Sequence, residues 1–414
     1  MSSSGTHHDL VIFGATSFVG QILCAHMVER HGVDGDLNWA IAGRNPDKLA
    51  LVARESGADT VDQIVCDAGD PDAIASMVGA TDLVVSTVGP YALYGSKLVA
   101  AVAEEGIDYV DLTGEPQWMQ RMIDRYQTRA TETGARIVHA CGFDSVPSDM
   151  GVWFLQREAQ ERFGAPCTSV RMGVKAAKGG ASGGTIASMM NMMDEVAADP
   201  GLRSVLTNPY ALAPQGDREG VRQPNVTLPE FDDGLHSWTA PFVMAATNTR
   251  VVFRTHALLG HPWGEDFTYG ESVMTGDGVS GRVKAFGVTS AMGAVMGAVA
   301  LSPMRTLLGK VLPEPGEGPS EVKQEAGHYD LRFHGVTDDG DEITVKVTGD
   351  RDPGYGSTSK ILAAAATTLL GRDRLEVGGG FWTPATALGE PFLDELTEHA
   401  GLTFDVLGDP TDVS

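Results

Sequence analysis

Asp9-Leu10-Val11-Ile12-Phe13-Gly14-Ala15-Thr16-Ser17-Phe18-Val19-Gly20 is the stretch on which the fold turns. A short apolar, β-branched run enters a glycine, and a helical apolar pattern starts near Val19. That order, strand then glycine turn then helix, reads as a dinucleotide-binding turn. Gly14 permits the tight turn off the strand and Gly20 lets the helix pack closely on the sheet. The free N–H groups of the helix start attract a pyrophosphate. Ser17 stands where many such loops carry a middle glycine; its small side chain still admits a phosphate and brings a hydroxyl that can donate to it. Thr16, Ser17, Phe18 and Val19, between the two glycines, are therefore candidate cofactor contacts. The alternative is a purely structural turn.

From Asp9 to Ala140 short β-branched runs alternate with longer amphipathic stretches, the pattern of a parallel sheet with crossover helices. Six strands are expected, over Asp9–Phe13, Trp39–Ala42, Gln63–Cys66, Leu83–Ser86, Tyr109–Leu112 and Arg136–Ala140. Such a series forms a doubly wound α/β domain, whose ligand lies at the carboxyl edge of its strands. The second strand ends Ala42-Gly43-Arg44, where an NAD-binding protein places an acid for the ribose 2′-hydroxyl. Arg44 points instead to NADP, because its donor fork fits a 2′-phosphate, and Lys48 lies one helical turn on. A solvated strand-end arginine is the plain alternative. Asp67, after the third strand, is placed to accept from an adenine amino group, or is simply a surface acid.

After the fourth strand come Ser86-Thr87-Val88-Gly89-Pro90-Tyr91, at the edge where a nicotinamide lies. Val88, Gly89 and Pro90 bring backbone close to the cofactor. Tyr91 and Tyr94 are candidate proton donors or packing tyrosines. Lys97 follows Tyr94 by three residues, one short of the Tyr/Lys spacing of short-chain dehydrogenases. Gly142–Pro147, GFDSVP, follows the last of these strands and faces the same half of the cleft. Asp144 is a candidate there for cofactor contact or for capping the next helix, and Ser145 is a candidate donor.

Beyond Gly142 the rhythm changes. A helix is expected over Ser148–Arg162, a strand over Ser169–Ala177, and a hairpin of Tyr329–Thr337 and Glu342–Thr348 around Asp338-Asp339-Gly340-Asp341. Lys178–Thr185 is glycine-rich and reads as a mobile lid or a plain connection. Leu312–Ser320 reads as an exposed connection, and helices over Ser357–Leu370 and Leu388–His399 pack back on the first domain. The expected division is residues 1–147 as a Rossmann-type domain with a doubly wound parallel sheet, 148–350 as an inserted α+β domain, and 351–414 as a returning segment.

The composition narrows the class. At 414 residues the chain has room for two or three domains. Its formal charge of −25 repels phosphate backbones, which argues against nucleic-acid binding. The four cysteines are scattered, with no metal-ligand spacing, and the first twenty residues lack a basic leader, so a reduced, cytoplasmic protein without structural zinc is expected. Ala285–Met304 carries no charge over twenty residues. Its many Gly, Ser and Thr residues and the hairpin that follows favour a helix buried or docked within the fold over a membrane span, with peripheral membrane contact as the second reading.

Read together, Gly14–Gly20, AGR at 42–44, STVGPYALYG at 86–95, YVDLTGE at 109–115 and HACGFDSVPSD at 139–149 closely resemble the saccharopine dehydrogenase-like family. The nearest likeness is to its actinobacterial branch, the trans-acting enoyl reductases that serve polyketide synthases in making phthiocerol lipids. KGGASGGTIASM at 178–189, AATNTR at 245–250, DPGYGSTS at 352–359 and TPATALG at 383–389 extend it over almost the whole chain. The resemblance implies an NADP-binding Rossmann domain, an inserted α+β domain over the cofactor, and a C-terminal return. It leaves the substrate open between an enoyl thioester, with a polyketide synthase as partner in trans, and the amino and keto partners of reductive amination. On the first reading Tyr91, Tyr94 and Ser145 are the donor candidates and Met189–Met193 line an acyl path. A cofactor-binding, lipid-associated protein without turnover is the remaining alternative, and a homodimer fits any of them.

Overall fold

The computed structural model describes residues 6–179, 183–199, 201–300 and 318–408. Fourteen strands are described: β1 (His8–Phe13), β2 (Trp39–Gly43), β3 (Asp62–Val65), β4 (Thr81–Ser86), β5 (Asp108–Asp111), β6 (Arg136–Val138), β7 (Cys167–Lys178), β8 (Glu230–Asp232), β9 (Ser237–Pro241), β10 (Thr268–Gly276), β11 (His328–Thr337), β12 (Glu342–Gly349), β13 (Gly380–Trp382) and β14 (Leu402–Leu407).

Seven of them form one sheet in the order β13-β6-β5-β4-β1-β2-β3, with every neighbouring pair parallel. This is the doubly wound order, reversing between β1 and β4, with β13 added at one edge. Because helices cover both faces, the central strands are apolar on both sides: Leu10, Val11, Ile12 and Phe13 are all buried, as are Leu83, Val84 and Val85. The crossover helices start on local signals. Asn45 accepts from the Lys48 N–H ahead of Pro46–Ser56, and Asp70 caps Pro71–Val78, each with proline in the first helical turn.

The second sheet runs β14-β12-β11-β7-β10-β9-β8, antiparallel except for the β7/β10 pair. The hairpin of β11 and β12 lies where its alternation places it. The helix Val146–Phe163 links the two sheets and packs on β7, β11, β12 and β14.

Residues 351–408 serve both sheets. β13 pairs with β6 in the first, and β14 pairs with β12 in the second. The helix Thr358–Gly371 lies on the helix Phe18–His31 and on β4 and β5. It is pinned by Arg136, which is buried in a fork with Asp108 at 2.9 and 2.5 Å and donates onward to the carbonyls of Leu369 and Arg372.

Of the two expectations for the uncharged stretch, a buried or a docked helix, the described residues show a docked one. The uncharged stretch from Ala285 belongs to a helix, Gly278–Ala300, but among residues 278–297 only Gly281 and Ala285 are buried. Its early turns rest on β9 and β10, and the Arg282 guanidinium lies 5.2 Å from the Trp238 ring centre. Small side chains kept the helix apolar without giving it a face to bury. The remainder of that stretch, most of Leu312–Ser320, and the centre of Lys178–Thr185 lie outside the described residues.

Candidate active site

Parallel pairing brings the ends of β1 to β6 to a single edge. Gly14, Arg44, Asp67, Thr87–Pro90, Leu112–Glu115 and Cys141–Ser145 therefore line one crevice edge, the place where doubly wound sheets take their ligand.

The turn after β1 is built for close approach. Gly14 has φ of +95°, and a Cβ there would stand 2.7 Å from the Thr87 hydroxyl and from Val88. A Cβ on Gly20 would meet the Gly14 carbonyl oxygen at 2.4 Å. Ser17 caps the following helix by accepting from the Gly20 N–H at 2.9 Å, and its hydroxyl lies 2.9 Å from that of Thr87. It thus holds the turn's shape. Phe18 packs edge-on against Tyr355 at 4.8 Å, and the Val19 carbonyl accepts from Ser359, so these two brace the turn against the C-terminal helix. Thr16 is half-buried beside them.

At the next strand end Arg44 and Lys48 are exposed, and among the described residues neither the guanidinium nor the ammonium has an ion-pair or hydrogen-bond partner. Two uncommitted cations in a chain of charge −25 suit a phosphate ester. Asp67 is exposed and uses one carboxylate oxygen to accept from the Gly69 N–H at 2.7 Å. A cradle that any side chain at 14 or 20 would fill, with free cations beside it, fits NADP.

The loop after β4 carries Val88, Gly89 and Pro90, with Gly89 exposed and the Gly89-Pro90 bond cis. Tyr91 corrects an expectation. Its phenol is buried, donates to the Ser86 carbonyl at 2.8 Å, accepts from the Leu112 N–H at 3.4 Å and stacks near Trp118. Burial, with Asp111 nearby, holds its pKa well above the ordinary range. The group is spent on the fold and is no free donor. Tyr94 is 46% exposed, and its phenol has no hydrogen-bond partner among the described residues.

Ser145 is likewise committed. Fully buried, its hydroxyl donates to Asn248 Oδ1 at 3.1 Å. Asn248 in turn donates to Glu271 at 3.0 Å and to Ser148 at 3.2 Å, and Glu271 accepts from the Tyr269 phenol at 2.7 Å. Burial pushes the Glu271 carboxyl up to about 7. Asp149, one helical turn on from Ser145, accepts from Thr255 at 2.5 Å and from the Ala385 N–H at 2.9 Å, and burial raises it to about 7 as well. This network welds the helix Val146–Phe163 to the helix Ala245–Leu258 and to β10.

Asp144 differs from all of these. The helix after it takes no side-chain cap, so Asp144 is not a capping residue. It is half-buried, has no hydrogen-bond partner among the described residues, and burial raises its pKa to about 6. A Cβ on Gly114 would lie 3.6 Å from its carboxylate and 3.8 Å from the Met244 methyl, which places the acid at the crevice edge near the start of the helix Ala245–Leu258. Glu115, which the sequence reading passed over, is buried beneath the same edge and binds the loop after β4. Its signal was weak: one acid before Pro-Gln-Trp that looks like an ordinary helix start. Among the described residues no cluster suited to a metal ion occurs.

Residues 10–138 match the saccharopine dehydrogenase NADP-binding domain. A relative from Mycobacterium tuberculosis that bears the trans-acting enoyl reductase name is 40% identical over 409 residues, covering 96% of this chain and 97% of its own. The chain belongs to the trans-acting enoyl reductase family. A second relative, the trans-acting enoyl reductase of Mycobacterium leprae, is 36% identical over 412 residues, covering 96% of this chain and 97% of its own. Among solved structures, apo saccharopine dehydrogenase (L-Glu forming) from Saccharomyces cerevisiae covers 97% of this chain and 100% of its own at 11% identity, with a TM-score of 0.49. A member of this family is an NADP-dependent oxidoreductase of enoyl reductase type, which sets aside the reading without turnover. Among the described residues no helix is long and apolar enough to cross a membrane.

Proposed function

We propose that this enzyme uses NADPH to reduce the carbon–carbon double bond of an enoyl thioester of lipid or polyketide type, delivered by a polyketide synthase in trans. Residues 1–147 form the cofactor half, 148–350 the substrate half, and 351–414 the return that braces both. NADPH, when bound, supplies a hydride for the β-carbon. The chain's own work is to hold the glycine turn open, grip the 2′-phosphate with Arg44 and Lys48, donate a hydrogen bond to the thioester oxygen as it gains enolate charge, and deliver a proton to the α-carbon. Asp144 takes the last two tasks. Tyr91 and Ser145 have their hydroxyl protons committed, whereas Asp144 is uncommitted and its desolvated carboxyl favours the protonated form.

The observation that carries the choice of substrate is the fate of two arginines of the second domain, Arg250 and Arg254. Reductive amination of keto and amino acids calls for a cationic site to bind several carboxylates. Arg250 and Arg254 are buried, and their guanidiniums are spent on backbone carbonyls: Ala246 and Leu206 for the first, Leu212 and Phe381 for the second. Neither is free to hold a substrate carboxylate. NADPH oxidation followed with a panel of 2-enoyl thioesters, and separately with an aldehyde plus an amino acid, tests this. Turnover with the thioesters supports the proposal; turnover confined to the aldehyde and amino acid pair rejects it.

A further inference from the structure

Glu115 joins three elements. The residue is 1% exposed; Oε1 accepts from the Tyr91 N–H at 2.8 Å and from the Ser188 hydroxyl at 2.7 Å, while Oε2 accepts from the Ala92 N–H at 3.0 Å. Tyr91 and Ala92 directly follow Val88-Gly89-Pro90, the loop placed against the cofactor. Ser188 belongs to the helix Gly183–Ala198 of the other domain. Two turns further along that helix, Glu195 accepts from the buried Gln117 at 3.0 Å and from Arg121 at 2.8 Å. The helix is thereby fastened to the Rossmann half at two points. Its methionines, Met189, Met190, Met192 and Met193, are all partly exposed. A run of flexible, polarizable side chains beside the crevice suits an acyl chain.

We propose that Glu115 is a positioning residue that couples the loop Val88–Ala92 to the helix Gly183–Ala198, so that seating the cofactor orders the helix that covers the acyl substrate. The inference rests on the loop's place beside the cofactor, and its test uses no turnover. Charged hydrogen bonds to two backbone donors hold the loop, and the hydroxyl of Ser188 shares the same oxygen, so a shift of the loop moves the helix through one group. In Glu115→Gln one acceptor becomes a donor facing a backbone N–H, and the junction opens. Ser188→Ala removes only the helix side and leaves both loop contacts in place.

The measurement is backbone hydrogen exchange over the Gly183–Ala198 helix in full-length protein, with and without saturating NADPH, beside equilibrium binding of NADPH and of 2′,5′-ADP, which carries only the adenine half. In the unmodified enzyme NADPH is expected to slow exchange in the helix about tenfold or more, and 2′,5′-ADP is expected to leave it unchanged. Ser188→Ala keeps its NADPH affinity and loses that protection. Glu115→Gln loses it too and binds NADPH about tenfold more weakly, with 2′,5′-ADP affinity unchanged. Equal NADPH-induced protection in the unmodified protein and in Ser188→Ala overturns the coupling, as does its absence from the unmodified protein. Should Glu115→Gln fail to fold, Ser188→Ala alone decides. Failure of the enoyl substrate reading would leave these binding and exchange results untouched.

Discussion

The Thr87 hydroxyl donates to the Gly14 carbonyl at 2.8 Å, so the glycine turn after β1 and the loop after β4 are held as one unit. Gly14 sits at φ +95° with that same hydroxyl 2.7 Å from where a Cβ would be. Gly14→Ala therefore meets both backbone strain and a steric clash that can be relieved only by parting the two loops. About 1–3 kcal/mol of strain is expected, read as roughly a tenfold or greater loss of NADPH affinity in fluorescence titration.

Arg44→Asp is expected to reverse the cofactor preference. A charge-assisted fork to the 2′-phosphate is worth about 1.5–3 kcal/mol, hence roughly ten- to a hundredfold in favour of NADPH. The variant should bind NADH at least as well as NADPH. Equal affinity for the two cofactors in the unmodified protein would remove the role given to Arg44.

Asp144→Asn should lower kcat by roughly 100- to 10,000-fold with NADPH affinity kept, since it removes the proton source. Tyr94→Phe should change kcat less than about threefold. Tyr91→Phe should act on stability, costing about 1 kcal/mol for the lost bond to the Ser86 carbonyl. The free enzyme's Asp144 titrates at about 6, raised by burial. Asp111 and Glu115 are the carboxylates near the Tyr91 phenol that shares its surroundings. As the protonated acid is the working form, kcat/KM should be highest at low pH and fall as pH rises through about 6.

The buried carboxyls of Asp149 and Glu271 make stability depend on pH. Burial pushes each up to about 7 in the folded chain from ordinary carboxyl values of 3.8 and 4.5. Between those limits the native state keeps protons that the unfolded chain has released. Their contribution is therefore fully present below about pH 4 and is lost as pH rises through 7, by up to about 3–4 kcal/mol per group. Urea midpoints should be higher at pH 5.5 than at pH 8.5, and Glu271→Gln should flatten part of that slope.

Where the sequence was readable, a local pattern determined the structure. The runs ending at Phe13, Gly43 and Ser86 declare themselves because a strand buried on both faces must be apolar throughout. The hairpin of β11 and β12 alternates and turns on Asp-Asp-Gly-Asp. β13 was not readable: three residues after a glycine run carry no periodicity, and their pairing with β6 depends on tertiary packing. β14, Leu-Thr-Phe-Asp-Val-Leu, does alternate and was there to be found. The glycine turn and Arg44 were legible in the site for the same local reason. That Tyr91 and Ser145 are committed was not, because the Ser145 partner, Asn248, lies 103 residues away. Glu271, an acid inside the apolar strand Tyr-Gly-Glu-Ser-Val-Met, was the available sign of a buried polar network.

The most direct test of enoyl reduction is the fate of the hydride. With NADPH deuterated at the transferred position and a 2-enoyl thioester, product analysed by NMR should carry one deuterium on the β-carbon, and in D2O with unlabelled NADPH one deuterium on the α-carbon. Deuterium from the cofactor at a carbon bonded to nitrogen, formed from a carbonyl and an amine, or at any carbon other than the β-carbon, would contradict the assignment.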